Sequence, residues 1–230
     1  MSDVIQKTND LINNDISAED YIEVNRRAYD QLSDEYIKRS LIVSDFETPA
    51  GYLVESALQY TKRNKELSVL EVGPGSGKAI QYFETLRCRT TAVDLSGKII
   101  ELAKINSPST IFIHANILEL NFLPCQFDVI FAGALIHLFP KFDAIKLIKK
   151  FCIWIKKDGV LFISTTINDK SEEGFSIKSD YENSVKRFRK KWTETEFRDL
   201  ISEYFTILNT IYTDEKDRNK IWVGHICKPL

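Results

Sequence analysis

Cysteine is scarce in this chain and follows no recognisable pattern. Among 230 residues there are four cysteines and three histidines. The cysteines are Cys88, Cys125, Cys152 and Cys227. No C-x-x-C pair occurs and no cysteine stands directly next to a histidine, so the ligand spacing of zinc sites is missing. We therefore expect reduced, mostly buried thiols, no disulfide framework and no bound metal.

Long apolar runs are also missing. No stretch approaches the roughly 18 to 20 apolar residues that span a bilayer, and residues 1–10 lack the hydrophobic segment of a signal peptide. The charges nearly balance, with 31 basic and 33 acidic residues, which argues against a protein that mainly coats nucleic acid or an anionic membrane. We expect a cytoplasmic protein with no membrane partner.

Glycine is sparse as well, yet three of the nine glycines fall within five positions, at Gly73, Gly75 and Gly77. They follow a short apolar run that ends at Val72, and an amphipathic segment, 79–86, comes directly after them. This order is typical of a buried strand, a tight loop and the start of a helix. Glycine permits positive φ and the close approach of a ligand, and the first amides of a helix favour a negatively charged group.

Two well-known glycine loops do not fit this stretch. A phosphate-binding P-loop would need glycine at Val72 and a hydroxyl at Ala79. A dinucleotide-binding loop that starts at Gly73 would need glycine at Lys78, where helix and strand pack closely. What remains is Glu71 followed by G-x-G-x-G.

A second predicted strand ends at Asp94, 23 residues after Glu71, where a carboxylate can accept both hydroxyls of a ribose. With these features the sequence, from about residue 29 onward, resembles the class I S-adenosylmethionine (SAM)-dependent methyltransferases. The resemblance implies SAM as cofactor, S-adenosylhomocysteine (SAH) as product and no metal. It also implies a small-molecule substrate.

The alternation of strands and helices predicts one domain with an α/β fold. We expect a three-layer sandwich around a Rossmann-like, mostly parallel sheet whose last strand is antiparallel, and the resemblance implies seven strands. The expected parts are an N-terminal helical cap (1–65), a cofactor-binding core (66–166), a substrate-side insert (167–192) and a C-terminal helix and hairpin (193–230). Two helices are predicted at about 18–39 and 48–62. A third helix is predicted to run from 143 to a C-terminal stop at 156–159, and a central strand is predicted to follow at 160–164.

The resemblance implies specific cofactor contacts. Glu71 would orient the amino end of SAM, and Asp94 would hold the ribose. Asn116 stands where the family usually carries Asp, and its amide offers both a donor and an acceptor to the adenine edge. The full set of implied cofactor residues is Tyr36, Glu71, Gly73, Gly75, Gly77, Asp94, Leu95, Asn116, Ile117 and Ala132.

The sequence specifies fewer residues for the acceptor, the molecule that would receive the methyl group. Tyr29 belongs to the stretch Y-D-x-L-x-x-x-Y, which resembles a pocket-lining stretch of the family, and His137 lies in a turn that resembles its L-H-H-L. Both are candidate catalytic residues, with His137 as a general base or a substrate contact, although a lone histidine is often structural. In the insert, Arg187, Arg189 and Trp192 are candidate substrate residues, although a charge run is often only a solvated face.

Three functions are consistent with these residues. The first is methyl transfer to a small molecule. The second is methylation of a modified wobble uridine in tRNA, suggested by G-S-G-K at 75–78 and by the basic residues of 186–191. The third is SAM binding without transfer. A closed aromatic pocket would favour the first and an open basic groove the second. The acceptor atom and the oligomeric state are left open by the sequence.

Overall fold

The computed structural model describes residues 20–41, 49–63, 65–178, 184–216 and 220–230. The helices in these ranges are α1 (Tyr21–Leu41), α2 (Pro49–Leu58), α3 (Lys78–Thr85), α4 (Gly97–Asn106), α5 (Lys141–Trp154) and α6 (Glu194–Ser202), with a short 3-10 turn at Ile136–Leu138. The strands are β1 (Ser68–Val72), β2 (Arg89–Asp94), β3 (Ile111–His114), β4 (Phe127–Ala132), β5 (Ile155–Ile167), β6 (Glu172–Lys178), β7 (Val185–Lys191), β8 (Phe205–Glu215) and β9 (Lys220–Pro229).

Seven strands form one sheet in the order β3-β2-β1-β4-β5-β9-β8. Strand β9 runs antiparallel to β5 and β8, whereas the pairs from β3 to β5 are parallel. The predicted mostly parallel, seven-stranded sheet with an antiparallel last strand is therefore confirmed. The strand order reverses between β1 and β4, and open α/β sheets bind ligands at the carboxyl edge of such a switch point.

Helices cover both faces of the sheet. Phe151 of α5 and Phe197 of α6 are fully buried on one face, and Val54 of α2 and Phe83 of α3 are fully buried on the other. Burying one such side chain contributes roughly 1.5 to 3 kcal/mol. The two apolar layers produce the expected three-layer sandwich and hold the central strands β1 and β4 in a dry core.

The insert after β5 forms a separate hairpin. Strands β6 and β7 pair antiparallel, from Glu172 opposite Lys191 to Lys178 opposite Val185. The hairpin packs on α1, where Val185 contacts the cluster of Ala28 and Leu32. Helix α1 is thus held between this hairpin and the rest of the fold.

The predicted boundary between α5 and β5 is wrong. Helix α5 ends at Trp154, and 156–159 belong to β5, which begins before the predicted strand 160–164. The cause is tertiary: Lys156 Nζ lies 2.8 Å from a carboxylate oxygen of Asp128. Ser68 N–H donates to the same oxygen at 2.9 Å, so β1, β4 and β5 are joined here.

The end of α2 and the exposure of the cysteines differ from the expectations, and two predicted features lie outside the described residues. Helix α2 ends at Leu58 rather than near 62. Residues 1–16 and the predicted cap residue Thr48 lie outside the described residues. The expectation of mostly buried thiols is wrong, because Cys227 is buried but Cys125 is exposed in the turn before β4, and the other two cysteines are half-buried.

Candidate functional site

A cavity of about 380 Å³ opens at the carboxyl edge of β1, β2 and β4. One half of its wall comes from the ends of these strands and the loops that follow them. The other half comes from α1 and from the turn between β4 and α5. This is the place where the sheet topology predicts a ligand.

The glycine loop forms the floor of the cavity. Gly73 and Gly75 line it with φ angles of 71° and 55°, in the left-handed region that favours glycine. A Cβ at Gly73 would lie 2.9 Å from Leu135 Cδ1, so a side chain there would require Leu135 to shift, in addition to the strain of the positive φ.

Gly77 serves packing instead. Its φ is 80° at the N-cap of α3, and a Cβ there would lie 3.2 Å from the Cβ of Ala103 in α4. It is not one of the described residues that line the cavity. The third glycine of the motif therefore permits the contact between α3 and α4, and its cofactor contact remains a prediction.

Glu71 carries an unsatisfied oxygen. The side chain lines the cavity, only 5% of the residue is exposed, and Oε2 has no hydrogen-bond partner. Burial, followed by the negative charge of Asp94, raises the pKa of Glu71 well above its ordinary value. The hydrogen bond from the backbone N–H of Ile80 acts to lower this pKa but does not offset the other two effects. A buried polar atom without a partner is costly, so this oxygen suits a cationic or hydrogen-bonding group of a ligand.

Asp94 stands at the end of β2, beside the same cavity. Its Oδ1 accepts a 2.8 Å hydrogen bond from Ser96 N–H. Burial raises the pKa of Asp94 to about 7, although the N–H groups of Ser96 and Leu95 act to lower it. A carboxylate has about four acceptor positions, so capacity remains for the two hydroxyls of a diol.

A polar network connects α1 to this side of the cavity. Ser96 Oγ donates to Asp30 Oδ1 at 2.5 Å, and Asp30 Oδ2 pairs with Arg26 Nη1 at 2.6 Å. Arg26 also pairs with Glu23 at 2.7 Å. The network attaches the cap helix to the start of α4 and places Arg26, already paired, at the cavity wall.

The half of the wall that comes from α1 and the turn after β4 is aromatic and apolar. Tyr21 and Tyr29 from α1 face Leu138 and Phe139 from the turn after β4. The Tyr21 hydroxyl donates to Asp143 Oδ2 at 2.7 Å, and burial, followed by this bond, raises the pKa of Tyr21 far above its ordinary value. Tyr21 is therefore a neutral phenol at physiological pH.

The cavity brings together most of the residues that the sequence singled out. Those that line it are Tyr29, Tyr36, Glu71, Gly73, Gly75, Asp94, Leu95, Asn116 and Ile117. Of the described residues, those predicted for the site but not lining the cavity are Gly77, Ala132, His137, Arg187, Arg189 and Trp192.

Asn116 uses its amide locally. Its Oδ1 accepts from Leu118 N–H at 3.1 Å, and its Nδ2 donates to Glu119 at 3.2 Å. The side chain thus shapes the turn after β3. One donor and one acceptor position of the amide remain, so the adenine contact expected from the sequence stays a prediction.

His137 lies behind the cavity wall. The residue is 2% exposed in the 3-10 turn, and its Nδ1 is 3.2 Å from Thr165 Oγ1. Its ring also packs edge-on against Trp222 at 5.9 Å. This geometry matches the structural interpretation of a lone histidine more closely than direct contact with a substrate.

In the described part of the insert, the three candidate substrate residues do not line the cavity. Trp192 is fully buried and packs against Phe197 of α6, because β7 ends in a bridge to Ile167 that turns the tryptophan into the core. Arg189 Nη2 donates to Thr166 Oγ1 at 2.5 Å, at the end of β5. Arg187 is 6% exposed and lies outside the set of cavity residues.

Sequence reasoning missed several wall residues. Tyr21, Asn25 and Arg26 line the cavity from α1, and Leu138 and Phe139 line it from the turn. Tyr21, Asn25 and Tyr29 are spaced four residues apart, which places them on one face of a helix. That spacing was the available signal, because it marks a face with both polar and aromatic side chains.

Within the described ranges, no group of three histidine, cysteine or carboxylate side chains is placed to hold a metal ion. None of the helices in the described part of the chain is long and apolar enough to cross a membrane.

A known family model matches the segment from β1 into β5. Residues 70–163, which contain the glycine loop and Asp94, match a family model described as a methyltransferase domain. The resemblance to the class I SAM-dependent methyltransferases that was inferred from the sequence is thereby confirmed, while the substrate is not specified by the match.

Solved structures share the fold of this chain at low sequence identity. The 1,6-didemethyltoxoflavin-N1-methyltransferase of Burkholderia thailandensis is 18% identical, with a TM-score of 0.70 over 91% of this chain and 88% of that one. A SAM-dependent methyltransferase of Clostridium acetobutylicum is 15% identical, with a TM-score of 0.65 over 88% of this chain and 99% of that one. The [4+2]-cyclase SpnF is 12% identical, with a TM-score of 0.65 over 89% of this chain and 95% of that one. Among curated proteins, none matches the chain in sequence.

Proposed function

We propose that this methyltransferase binds SAM in the cavity at the sheet edge and transfers its methyl group to a small organic molecule. The observation that carries the proposal is the unsatisfied Oε2 of Glu71, buried in the same cavity as Asp94 and the glycine loop. These groups match the amino, ribose and methionyl parts of one extended ligand.

The residues of the cavity fit this cofactor. Glu71 would accept from the amino group, Asp94 would accept from the ribose hydroxyls, and the backbone at Gly73 would admit the methionyl chain. Leu95 and Ile117 would flank the adenine. SAM supplies a methyl group on a positively charged sulfur, already activated for transfer. The protein therefore contributes chiefly by positioning two reactants and excluding water.

The aromatic wall favours a small acceptor over tRNA. Tyr21, Tyr29 and Phe139 enclose the part of the cavity beyond the glycine loop, where apolar walls would bury an organic molecule. The toxoflavin-type acceptor in the Burkholderia structure is a small molecule, which supports the same class here. The shared fold of a [4+2]-cyclase is a reminder that fold alone does not specify the reaction.

The basic insert gives little support to a phosphate-binding groove. Lys190 is 3% exposed and pairs with Glu196 at 2.9 Å. Lys191 pairs with Glu172 across the hairpin. These cations are engaged within the protein, whereas a groove for an RNA backbone requires cations that face solvent.

The positions of Tyr29 and His137 relative to the cavity suggest different roles for these two residues. Tyr29 lines the cavity and is our candidate for contact with the acceptor. His137 reaches the site only through the turn that also carries Leu138, so it would act as a positioning residue.

Cofactor binding is tested by calorimetry with SAM, SAH and NAD. Glu71→Gln should weaken SAH binding by roughly 1.5 to 3 kcal/mol, the range for a lost hydrogen bond to a charged group. Glu66→Gln, at an exposed position before β1, is the matched control and should bind normally. Tight NAD binding without SAM binding would end the assignment.

The acceptor class is tested with tritium-labelled SAM. The label is followed into a metabolite extract and into total tRNA over a salt series. Label in small molecules supports the proposal. Label in tRNA with a steep salt dependence supports the RNA alternative. SAM binding without transfer to either pool would indicate a SAM-binding protein of another activity.

A further inference from the structure

Strand β7 carries two buried cations in contrasting environments. Lys190 is 3% exposed, and its Nζ lies 2.9 Å from a carboxylate oxygen of Glu196 and 2.5 Å from Ser171 Oγ. Arg187, three residues earlier, is 6% exposed, and its Nε is buried with no hydrogen-bond partner. The paired cation is explained by the fold, but the arginine is not.

An unpaired guanidinium in this position is unfavourable. Arginine stays protonated at all physiological pH, and burying a charge is costly unless a partner compensates it. In the described part of the hairpin, the two carboxylates of β6 are used elsewhere. Glu172 pairs with Lys191, and Glu173 accepts from the N–H of Lys141 at 2.9 Å. Among the described residues, Arg187 thus has no ion pair of the kind that Lys190 forms with Glu196.

The register of β7 places Arg187 near the acceptor side of the site. Alternate residues of a strand share a face, so Val185, Arg187 and Arg189 lie on one side of β7. Val185 packs against the cluster of α1 that includes Tyr36, and Arg189 reaches Thr166 at the end of β5. Arg187 stands between these two contacts, and therefore between α1 and the end of β5.

Backbone contacts tie this position to the cavity wall. The N–H of Phe188 donates to Asn25 Oδ1 at 2.8 Å, and Asn25 Nδ2 donates to the carbonyl of Leu138 at 3.0 Å. Both Asn25 and Leu138 line the cavity. The residue after Arg187 is therefore bonded directly to Asn25, a residue of the cavity wall.

We propose that Arg187 binds an anionic group, a carboxylate or a phosphate, of the acceptor that this methyltransferase uses. The inference rests on the proposed function and specifies the substrate class of the same site. A guanidinium presents a planar set of donors that matches both anions in a two-pronged arrangement. The aromatic wall would hold the organic body of the acceptor while its anionic group extends past Asn25 to β7.

The first test compares Arg187→Met with Lys190→Met in the ligand-free protein. If Arg187 is unpaired, its replacement should leave the melting temperature unchanged or raise it, because a buried uncompensated charge is removed. Lys190→Met is the matched control and should lower the melting temperature, because Glu196 loses its buried cationic partner and keeps only the more exposed Lys141. If Arg187→Met lowers it as far as Lys190→Met, or does not fold, Arg187 has a partner within the chain and the proposal is overturned.

The second test titrates anions into the full chain saturated with SAH. Inorganic phosphate and benzoate are the probes, and sodium chloride at equal ionic strength and neutral benzamide are the controls. We expect phosphate or benzoate to raise the melting temperature by about 3 °C at tenfold excess over its Kd, to raise it further with the logarithm of the anion concentration, and to have no such effect in Arg187→Met. The effective anion identifies the class as phosphate or carboxylate.

Three outcomes overturn the proposal: neither anion exceeds chloride, benzamide matches benzoate, or Arg187→Met responds like the wild type. SAH binding, measured in parallel, separates this inference from the proposed function. A variant that binds SAH normally and loses only the anion response supports the role of Arg187, whereas a wild type that does not bind SAH contradicts the proposed function itself.

Discussion

Asp94→Asn tests whether ionisation of the carboxylate at the end of β2 controls cofactor affinity. Burial raises the pKa of Asp94 to about 7 in the ligand-free protein. Hydroxyl groups that donate to a carboxylate favour its ionised form, so the bound ligand should lower that pKa. The ligand-free protein then has about one tenth of this group ionised at pH 6 and about nine tenths at pH 8.

The expected effect follows from these fractions. SAH affinity should rise about tenfold from pH 6 to pH 8, equivalent to about 1.4 kcal/mol, and binding at pH 7 should release about half a proton. Asp94→Asn removes this ionisable group, so its affinity should be lower than that of the wild type at pH 8 by on the order of 1 to 3 kcal/mol and should depend less on pH than that of the wild type.

Stability should change in the opposite direction. A raised carboxyl pKa means that ionisation works against the folded, ligand-free protein. This cost is absent below the ordinary pKa of 3.8, grows as the pH rises and is complete above about 7. Its upper bound is about 4 kcal/mol, and it is smaller to the extent that water in the cavity reaches the half-buried residue. Asp94→Asn should therefore stabilise the ligand-free protein at pH 8.

The assay is calorimetry at pH 6, 7 and 8 in two buffers with different ionisation enthalpies, together with urea unfolding at the same pH values. Asp158→Asn is the matched control, because Asp158 is exposed and forms its salt bridge with Lys62. An SAH affinity that is constant over this range, with no dependence of the enthalpy on buffer, would refute the reasoning about Asp94.

Three further predictions concern stability. Gly77→Ala forces a side chain into the contact between α3 and α4 at a φ of 80°. It should lower the free energy of unfolding, measured in urea, by about 1 to 3 kcal/mol. An unchanged free energy of unfolding would show that the loop can relax. Asp128→Ala should cost about 3 to 5 kcal/mol at pH 7, because Lys156 loses its buried partner. Burial acts to raise the pKa of Asp128, but the bonds from Lys156 and from the first residue of β1 hold it below its ordinary value, so this stabilisation is present above about pH 4 and is lost in acid. Urea unfolding of wild type and variant at pH 3 and pH 7 checks this, since a difference that does not shrink at pH 3 contradicts it. Tyr21→Phe keeps the ring but leaves Asp143 without its donor, and should cost about 1 kcal/mol in thermal unfolding, whereas a cost above about 3 kcal/mol would mean that the hydroxyl does more than bond this carboxylate.

The cofactor half of the site could be predicted from the sequence because its residues are close together in the chain or at the ends of adjacent strands. Glu71, Gly73 and Gly75 belong to one short loop. Asp94 joins them because β1 and β2 pair in parallel, with Val72 opposite Val93, so both strands end at the same edge. Local patterns of this kind determine geometry without knowledge of distant contacts.

The half of the site that we propose for the acceptor was decided by tertiary structure. Asn25 bonds to Leu138 and Phe188, which are 113 and 163 positions away along the chain, and these bonds place α1 between the cavity and the hairpin. The same packing decides the environment of the two buried cations of β7. A run of basic residues looks uniform in sequence, yet Lys190 meets Glu196 whereas Arg187 meets no described partner, because the counter-charge of each depends on which distant segment the fold brings against it.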